Sequence, residues 1–253
     1  MKKTIAIGFQ DFESLRVNDR FYVDKTDFIR EWWDGGDAVT LITRPRWFGK
    51  TLNMSMLNCF FSNRYANRGE LFEGLKVWED EDLRKQQGTW PVIFVTFAGI
   101  KGFTYEDTMD QIKEMISALF SEYAELYQSD RFDQNEQYSL EQIGPKMTNT
   151  QAALSLNLLS RLLEKHYEKK VLIFLDEYDT PLQEAYVNGY WKELVAFTRT
   201  MFNNTFKTNS SLERAIMTGI TRVSKESIFS DLNNLVVVTT TSKLLSSPLM
   251  GVG

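Results

Sequence analysis

The sequence has only one cysteine and one histidine among its 253 residues. A single cysteine, Cys59, excludes an intramolecular disulfide framework. With His166 as the sole histidine, the chain also lacks the residues for a zinc site built from His and Cys, and for an obvious Cys–His catalytic dyad. Because Cys59 stands in an apolar helical segment near Leu57 and Phe60, we expect a buried, inert thiol rather than a nucleophile.

Long apolar runs and an excess of positive charge are lacking too. No apolar run reaches about 18 residues, and the first residues contain no apolar segment of the kind found in signal peptides. We therefore expect a cytoplasmic protein with no membrane association. The formal net charge of -5 gives no overall basic field, so nucleic acid is expected as a partner only indirectly. The chain length suits one large domain.

Short apolar runs rich in β-branched residues alternate with segments of helical periodicity along the chain. This alternation predicts an α/β fold with a mostly parallel sheet of about five strands, covered by helices on both faces. The domain is predicted to span residues 1–240, followed by an irregular tail at 241–253, and the polar segment 128–150 is predicted to be an irregular surface insertion. The predicted strands are 38–43, 92–97, 171–175, 214–219 and 235–239, and the main predicted helices are 27–34, 52–63, 105–127, 152–167 and 190–206.

The first chemical signature is Gly49-Lys50-Thr51, between the predicted strand 38–43 and the helix that follows it. In a P-loop, a Gly lets the backbone approach phosphate oxygens, a Lys reaches the β- and γ-phosphates, and a Thr hydroxyl ligates Mg²⁺. The N-terminus of the following helix adds N–H groups and its dipole. Arg44 stands where the usual pattern has another Gly, so the match is incomplete. Two alternatives remain for Arg44-Pro45-Arg46. Its positive charge compensates for the missing Gly, or the segment prevents the loop from forming the usual phosphate-binding conformation.

The second signature is the apolar run 171–175, which ends in Asp176 and Glu177. This is the pattern of a Walker B strand, in which the Asp holds Mg²⁺ and the Glu orients or deprotonates the attacking water. Ligands of open α/β sheets bind at the carboxyl ends of the strands, where both signatures place their polar residues. Together they predict a nucleotide site in the three-layer sandwich of a P-loop NTPase. Each also has a purely structural interpretation, as an ordinary helix start and as a solvated strand end before the turn residues Asp179-Thr180-Pro181.

A third segment, 218–222, ends the predicted fourth strand. If that strand lies between the other two, its polar end can sense the γ-phosphate, and Arg222 can contact phosphate as an arginine finger does. The alternative for Arg222 is an ion pair with a surface acid such as Glu226. The predicted nucleotide-binding residues are Arg46, Phe48, Gly49, Lys50, Thr51, Leu52 and Thr218, the predicted Mg²⁺ ligands are Thr51 and Asp176, and the predicted catalytic residues are Glu177 and Arg222.

Four ordered motifs within residues 5–240 resemble the AAA-ATPase-like proteins of bacteria. They are FYVDKT at 21–26, LITRPRWFGKTL at 41–52, FLDEYDTP at 174–181, and TGITR at 218–222 with the nearby KESIFS and LNNL. The resemblance implies an ATPase core whose catalytic Glu follows the Walker B Asp, and an Arg-Pro-Arg loop that is habitual in the family. It assigns phosphate and Mg²⁺ roles to Lys50 and Thr51, a metal role to Asp176 and a catalytic role to Glu177. Such proteins usually continue into a domain similar to the PD-(D/E)XK nucleases. Residues 241–253 do not resemble that domain, so we expect no nuclease activity from this chain.

The motifs favour an ATP-binding, slowly hydrolysing molecular switch, with ATP and Mg²⁺ as cofactors and with a protein partner or a second copy of the chain. The incomplete P-loop leaves open a second hypothesis, a non-catalytic α/β scaffold with a degenerate nucleotide site. A kinase-type phosphotransferase ranks third, because nothing in the sequence marks a pocket for an acceptor substrate. No base-reading motif distinguishes ATP from GTP.

Overall fold

The computed structural model describes residues 9–45, 49–220, 228–229 and 232–239. Within these ranges the strands are β1 (Val39–Thr43), β2 (Val92–Thr96), β3 (Val171–Asp176), β4 (Leu212–Gly219) and β5 (Leu235–Val238). They form one sheet in the order β2-β3-β4-β1-β5, and every neighbouring pair is parallel. The predicted α/β class and the five-stranded sheet are therefore confirmed, and the sheet is parallel throughout its described part.

Helices form most of the connections, because parallel strands need long crossovers. The α-helices in the described ranges are α1 (Phe12–Val17), α2 (Asp27–Gly35), α3 (Lys50–Phe61), α4 (Glu81–Arg84), α5 (Tyr105–Ser121), α6 (Gln134–Glu141), α7 (Asn149–Tyr167), α8 (Thr180–Asn188) and α9 (Trp191–Phe202). Short 3-10 helices lie at Asn63–Tyr65, Gly69–Phe72, Lys76–Glu79 and Ala124–Gln128, and a π-helical turn at Asn203–Lys207 extends α9. None of the described helices combines the length and apolarity needed to cross a membrane.

The sheet separates two apolar cores, which gives the three layers. Along β3, Ile173 packs into the core shared with α5, α7 and α9, whereas Leu172 and Phe174 pack into the core shared with α1, α2 and α3. All six residues of β3 are buried. A strand buried on both faces has no polar side and therefore consists of a continuous apolar run, which is why this strand was easy to predict.

Several local predictions are wrong. Part of segment 128–150 forms α6, whose N-terminus is fixed by a capping box between Asp133 and Glu136. Its polar composition hid it from a search for apolar periodicity. The turn Asp179-Thr180-Pro181, which belonged to the purely structural alternative for Asp176 and Glu177, is instead the start of α8. A proline in the first turn of a helix lacks only an N–H that has no intrahelical partner. The apolar pattern of the predicted helix 152–167 also places Leu154 on its buried side, whereas Leu154 is exposed.

Cys59 lies in α3 and is buried, as predicted. Burial raises the pKa of its thiol to about 12, so the thiol stays protonated at neutral pH. The thiolate is the nucleophilic form of cysteine. A nucleophilic role for this residue is therefore disfavoured, in agreement with the expectation of an inert thiol.

The strand order places β4 between the P-loop strand β1 and the Walker B strand β3. Ile42 of β1 is in register with Thr218 of β4, and Leu175 of β3 is in register with Met217. Because all three strands run in the same direction, their carboxyl ends meet at one edge of the sheet. The candidate site lies at this edge.

Candidate nucleotide site

Gly49 begins the P-loop helix in a conformation that suits glycine. Its φ is 68°, in the left-handed region, and the α-helix starts at the next residue, Lys50. A side chain is strained in that region, whereas glycine enters it at no steric cost. The first N–H groups of the 12-residue helix α3 therefore face the loop, at a helix end of the kind that can bind anions. Thr51 and Leu52 lie half-buried in its first turn.

The amine of Lys50 lies against the loop that precedes it. Its Nζ donates to the carbonyl oxygens of Arg44 at 2.6 Å and Pro45 at 3.0 Å. The N–H of Arg44 in turn donates to the carbonyl of Gly219 at 3.2 Å, which extends the pairing of β1 with β4. The Lys50 side chain is therefore held at the loop rather than extended into solvent. Peptide carbonyls are neutral acceptors, and an anionic phosphate oxygen would be a stronger partner for the same ammonium group.

Asp176 ends β3 and is completely buried. Its Oδ1 accepts a short hydrogen bond from the hydroxyl of Thr218, and its Oδ2 is buried without a hydrogen bond of normal geometry in the described part of the chain. Burial raises the pKa of this carboxyl, hydrogen bonds from the hydroxyls of Thr218 and Thr51 lower it, the charge of Glu177 raises it and the charge of Lys50 lowers it. Thr51 and Lys50 thus lie close enough to act on Asp176.

Lys50 donates to Arg44, whose N–H is bonded to Gly219 at the end of β4. The neighbouring Thr218 donates to Asp176, so α3 and β3 meet at one edge of the sheet. A structure with Lys50 and Asp176 on opposite faces of the molecule would have contradicted a nucleotide site. The buried Oδ2, together with the nearby Thr51 hydroxyl, forms a pair of hard oxygen donors of the type that Mg²⁺ prefers. The residues present therefore fit the metal that the motifs imply.

Glu177 has an unusual backbone conformation for a residue that is not glycine. Its φ is 51°, a left-handed value that costs about 1–3 kcal/mol in a residue with a side chain. Two hydroxyls hold it: its N–H donates to Thr218 Oγ1 at 3.2 Å, and Thr180 Oγ1 donates to its Oε2 at 3.1 Å. The carboxylate is consequently aimed by the start of α8 rather than left to rotate freely.

The end of β4 is fitted tightly to the segment after Glu177. A Cβ atom built on Gly219 would lie 2.5 Å from Tyr178 Cε1 and 2.9 Å from Asp179 Oδ1, so any other residue would force a shift. The N–H of Tyr178 donates to the carbonyl of Thr218 at 3.1 Å, and the N–H of Ile220 donates to Asp179 Oδ2 at 2.9 Å. These bonds hold the end of β4 against the segment that follows β3.

Thr218 thus contacts both acids through one hydroxyl, donating to Asp176 and accepting from Glu177. The sequence pointed to this residue as a phosphate sensor, and its contact with nucleotide stays a prediction. Thr180 and Asp179 were missed as site residues, since they were interpreted only as turn residues. The available signal was a Thr three positions after Glu177, a spacing that lets a helix-start hydroxyl reach back to the acid. Arg46, Phe48 and Arg222 lie outside the described residues.

Replacing Thr218 with Val should destabilise the protein by about 1–3 kcal/mol, because the part-buried N–H of Glu177 and the buried Oδ1 of Asp176 each lose their partner. Thr218→Ser, which keeps the hydroxyl, is the matched control and should cost about 1 kcal/mol or less. Chemical denaturation of the two variants and the parent measures the difference. Equal stability of the Val and Ser variants would show that the hydroxyl contacts do not matter.

Comparison with known proteins adds three findings. A family model described as a predicted AAA-ATPase matches residues 6–229. A protein of Azotobacter chroococcum mcd 1, described as an uncharacterized protein in the vnfD 5' region, is 27% identical over 236 residues, which is 92% of this chain and 40% of that protein. The chain therefore spans two fifths of the length of this relative. No solved structure matches.

Proposed function

The chain belongs to the AAA-ATPase-like family of predicted AAA-ATPases, and from this premise we propose that it binds ATP with Mg²⁺ at the edge formed by β1, β4 and β3 and hydrolyses it slowly, as a molecular switch. The observation that carries the proposal is that the buried Asp176 carboxyl and the Lys50 amine lie at the same edge of the sheet. Asp176 is bonded to Thr218 at the end of β4, and Arg44, which accepts from Lys50, is bonded to the next residue of that strand, Gly219. A cation, helix-end amides and a carboxylate converge there, as binding of a metal–triphosphate requires.

The proposal gives each residue around α3 a distinct role. The first N–H groups of α3, which follow Gly49, would donate hydrogen bonds to the phosphate oxygens. The Lys50 amine would leave the carbonyls of Arg44 and Pro45 for phosphate oxygens, and its position in the loop means that only a short movement is needed. Thr51 and Asp176 would hold Mg²⁺, which supplies charge neutralisation at the terminal phosphates when bound.

Glu177 is proposed as the general base. Its carboxylate, held by Thr180, would accept a proton from water as the water oxygen bonds to the γ-phosphorus. The bond between that phosphorus and the oxygen bridging to the β-phosphate breaks, so the products are ADP and inorganic phosphate. Thr218 would keep Asp176 and Glu177 in fixed relation during this step. The proposed roles of Arg46, Phe48 and Arg222 stay sequence predictions. Binding to a protein partner or to a second copy of the chain, and a cytoplasmic location, also stay predictions.

An equilibrium titration of the purified chain with labelled ATP and labelled GTP, with and without Mg²⁺, tests the proposal directly. We expect saturable ATP binding that strengthens when Mg²⁺ is added, because Asp176 is a buried acid that gains a cation only then. Comparison of the ATP and GTP affinities shows which base the site prefers. A folded chain with no affinity for either nucleotide would contradict the proposal and favour the scaffold hypothesis.

Asp176→Asn should stabilise the nucleotide-free protein while removing the benefit of Mg²⁺ for ATP binding. The pKa of Asp176 is higher in the folded chain than its value of about 4 in the unfolded chain. Above the folded-state pKa, the ionised carboxyl therefore destabilises the folded protein. Below about pH 4 the carboxyl is protonated in both states, and this destabilisation is absent. Thermal unfolding should therefore show a higher midpoint for the variant at pH 7.5, and the gap should close as the pH is lowered towards 4. A parent that is more stable than the variant at pH 7.5 would contradict this account of the buried charge.

A further inference from the structure

A second lysine lies beside the P-loop glycine, although it is 24 positions earlier in the sequence. A Cβ atom built on Gly49 would lie 3.7 Å from the Nζ of Lys25. The Lys25 side chain is 6% exposed, so its amine is enclosed rather than directed into solvent. Gly49 is the residue immediately before the helix end at which the phosphates are proposed to bind. Lys25 therefore brings an ammonium group to the same place from a different part of the chain.

The backbone around Lys25 is fixed by its two neighbours in sequence. Asp24 Oδ1 accepts hydrogen bonds from the N–H of Thr26 at 2.9 Å and from its hydroxyl at 2.7 Å. The other oxygen of Asp24 accepts from the N–H of Lys76 at 2.8 Å, and Thr26 Oγ1 accepts from the N–H of Val77 at 3.1 Å. The segment is thus tied to a second loop on both sides of Lys25. This arrangement restricts where the lysine side chain can point.

Among the described residues, Lys25 is one of three nearly buried basic residues in or beside this loop. Arg44 is 6% exposed and Lys50 is 7% exposed. Burial lowers the pKa of Lys25 and also that of Arg44, which means that their charged forms are poorly solvated where they stand. A bound anion at the start of α3 would stabilise such charges. Enclosed positive charge beside a helix N-terminus suits the high negative charge of a polyphosphate.

We propose that Lys25 is a second phosphate-binding amine of this site, contacting the polyphosphate beside Gly49. This inference rests on the proposed function, and it adds a ligand-binding residue from the segment before α2. Lys25 would increase the affinity for the phosphate chain and would not contribute to the choice of base.

The test uses Lys25→Met, which keeps the length of the side chain and removes the charge. Lys85→Met is the matched control, since Lys85 is exposed on the surface and pairs with Asp82. The probes are Mg-ATP and magnesium pyrophosphate, which has neither base nor sugar. Loss of one charge-assisted contact should weaken binding of both probes by about 10- to 100-fold in Lys25→Met and leave the control at the affinity of the parent.

Salt dependence separates a phosphate contact from a merely structural role. If Lys25 contacts phosphate, the affinity of Lys25→Met should fall less steeply with added salt than that of the parent, because one screened charge interaction is missing. If Lys25 only supports the loop, the salt dependence should be the same in both proteins. Lys25→Arg, which keeps the charge, should retain the steeper dependence of the parent.

The outcomes distinguish this inference from the proposed function. A parent chain that binds neither probe contradicts both. A parent that binds Mg-ATP alongside a Lys25→Met variant of equal affinity and equal salt dependence overturns only the role of Lys25. Should the Met variant fail to fold, a structure of the parent with a bound ATP analogue decides the matter. Lys25 Nζ is expected within about 3.2 Å of a phosphate oxygen, and a separation beyond hydrogen-bond reach overturns the inference.

Discussion

Replacing Glu177 with Gln is expected to lower the turnover of ATP by at least about 100-fold while ATP binding stays within a few-fold of the parent. Gln keeps the size of the side chain, and its amide can still accept the hydrogen bond from Thr180. It cannot take up a proton from water, so the general-base contribution is lost. Steady-state phosphate release and equilibrium ATP binding, measured on the same preparation, give the two numbers.

Glu141→Gln is a suitable control for the Glu177 variant, since Glu141 is exposed at the end of α6 and lies outside the site. It should match the parent in both assays. Unchanged turnover in Glu177→Gln would show that another group serves as the base, although the nucleotide site itself would stand. Loss of ATP binding in this variant would mean instead that Glu177 supports the structure of the site.

Lys50→Ala is expected to weaken ATP binding by about 100-fold or more, the largest effect on affinity of any single change proposed for this chain. The substitution removes the amine from the loop, where it donates to the carbonyls of Arg44 and Pro45. It also removes the positive charge that acts on Asp176. Phosphate oxygens therefore lose a charged donor. Titration with labelled ATP in the presence of Mg²⁺ measures the loss.

Lys192→Ala provides the comparison for the Lys50 variant, because Lys192 is exposed in the first turn of α9. It should bind ATP as the parent does. A thermal unfolding curve of Lys50→Ala without nucleotide shows whether the variant is folded. A folded Lys50→Ala protein with the affinity of the parent would place the nucleotide elsewhere, and the roles proposed for Thr51 and Asp176 would fail with it.

The sheet could be predicted well from the sequence, for a physical reason that β3 illustrates. A parallel strand covered on both faces consists of apolar residues throughout, and 171–175 is such a run. The acids that follow it mark the carboxyl end, where ligands of such sheets bind. The meeting of Gly49-Lys50-Thr51 with Asp176 could be predicted for the same reason, since strands that run in one direction end at one edge.

Contacts between distant segments could not be predicted from the sequence. Nothing in the run 21–26 indicates that Lys25 approaches Gly49, because that contact depends on how the loop before α2 is tied to the segment of Lys76 and Val77. The bond from Thr218 to Asp176 could not be found either, since it requires the order of β3 and β4 and their relative register. Helix α8 was hidden because the residues that start it are also common in turns.

A crystal structure of the chain with Mg²⁺ and a non-hydrolysable ATP analogue tests the central claim most directly. The account predicts the phosphates at the N-terminus of α3, next to the amine of Lys50, with the metal bound between the Thr51 hydroxyl and Asp176 at about 2.1 Å from its direct ligands, or one water away from the acid. A nucleotide bound at any other place in a well-ordered complex, with Asp176 remote from the metal, would contradict it.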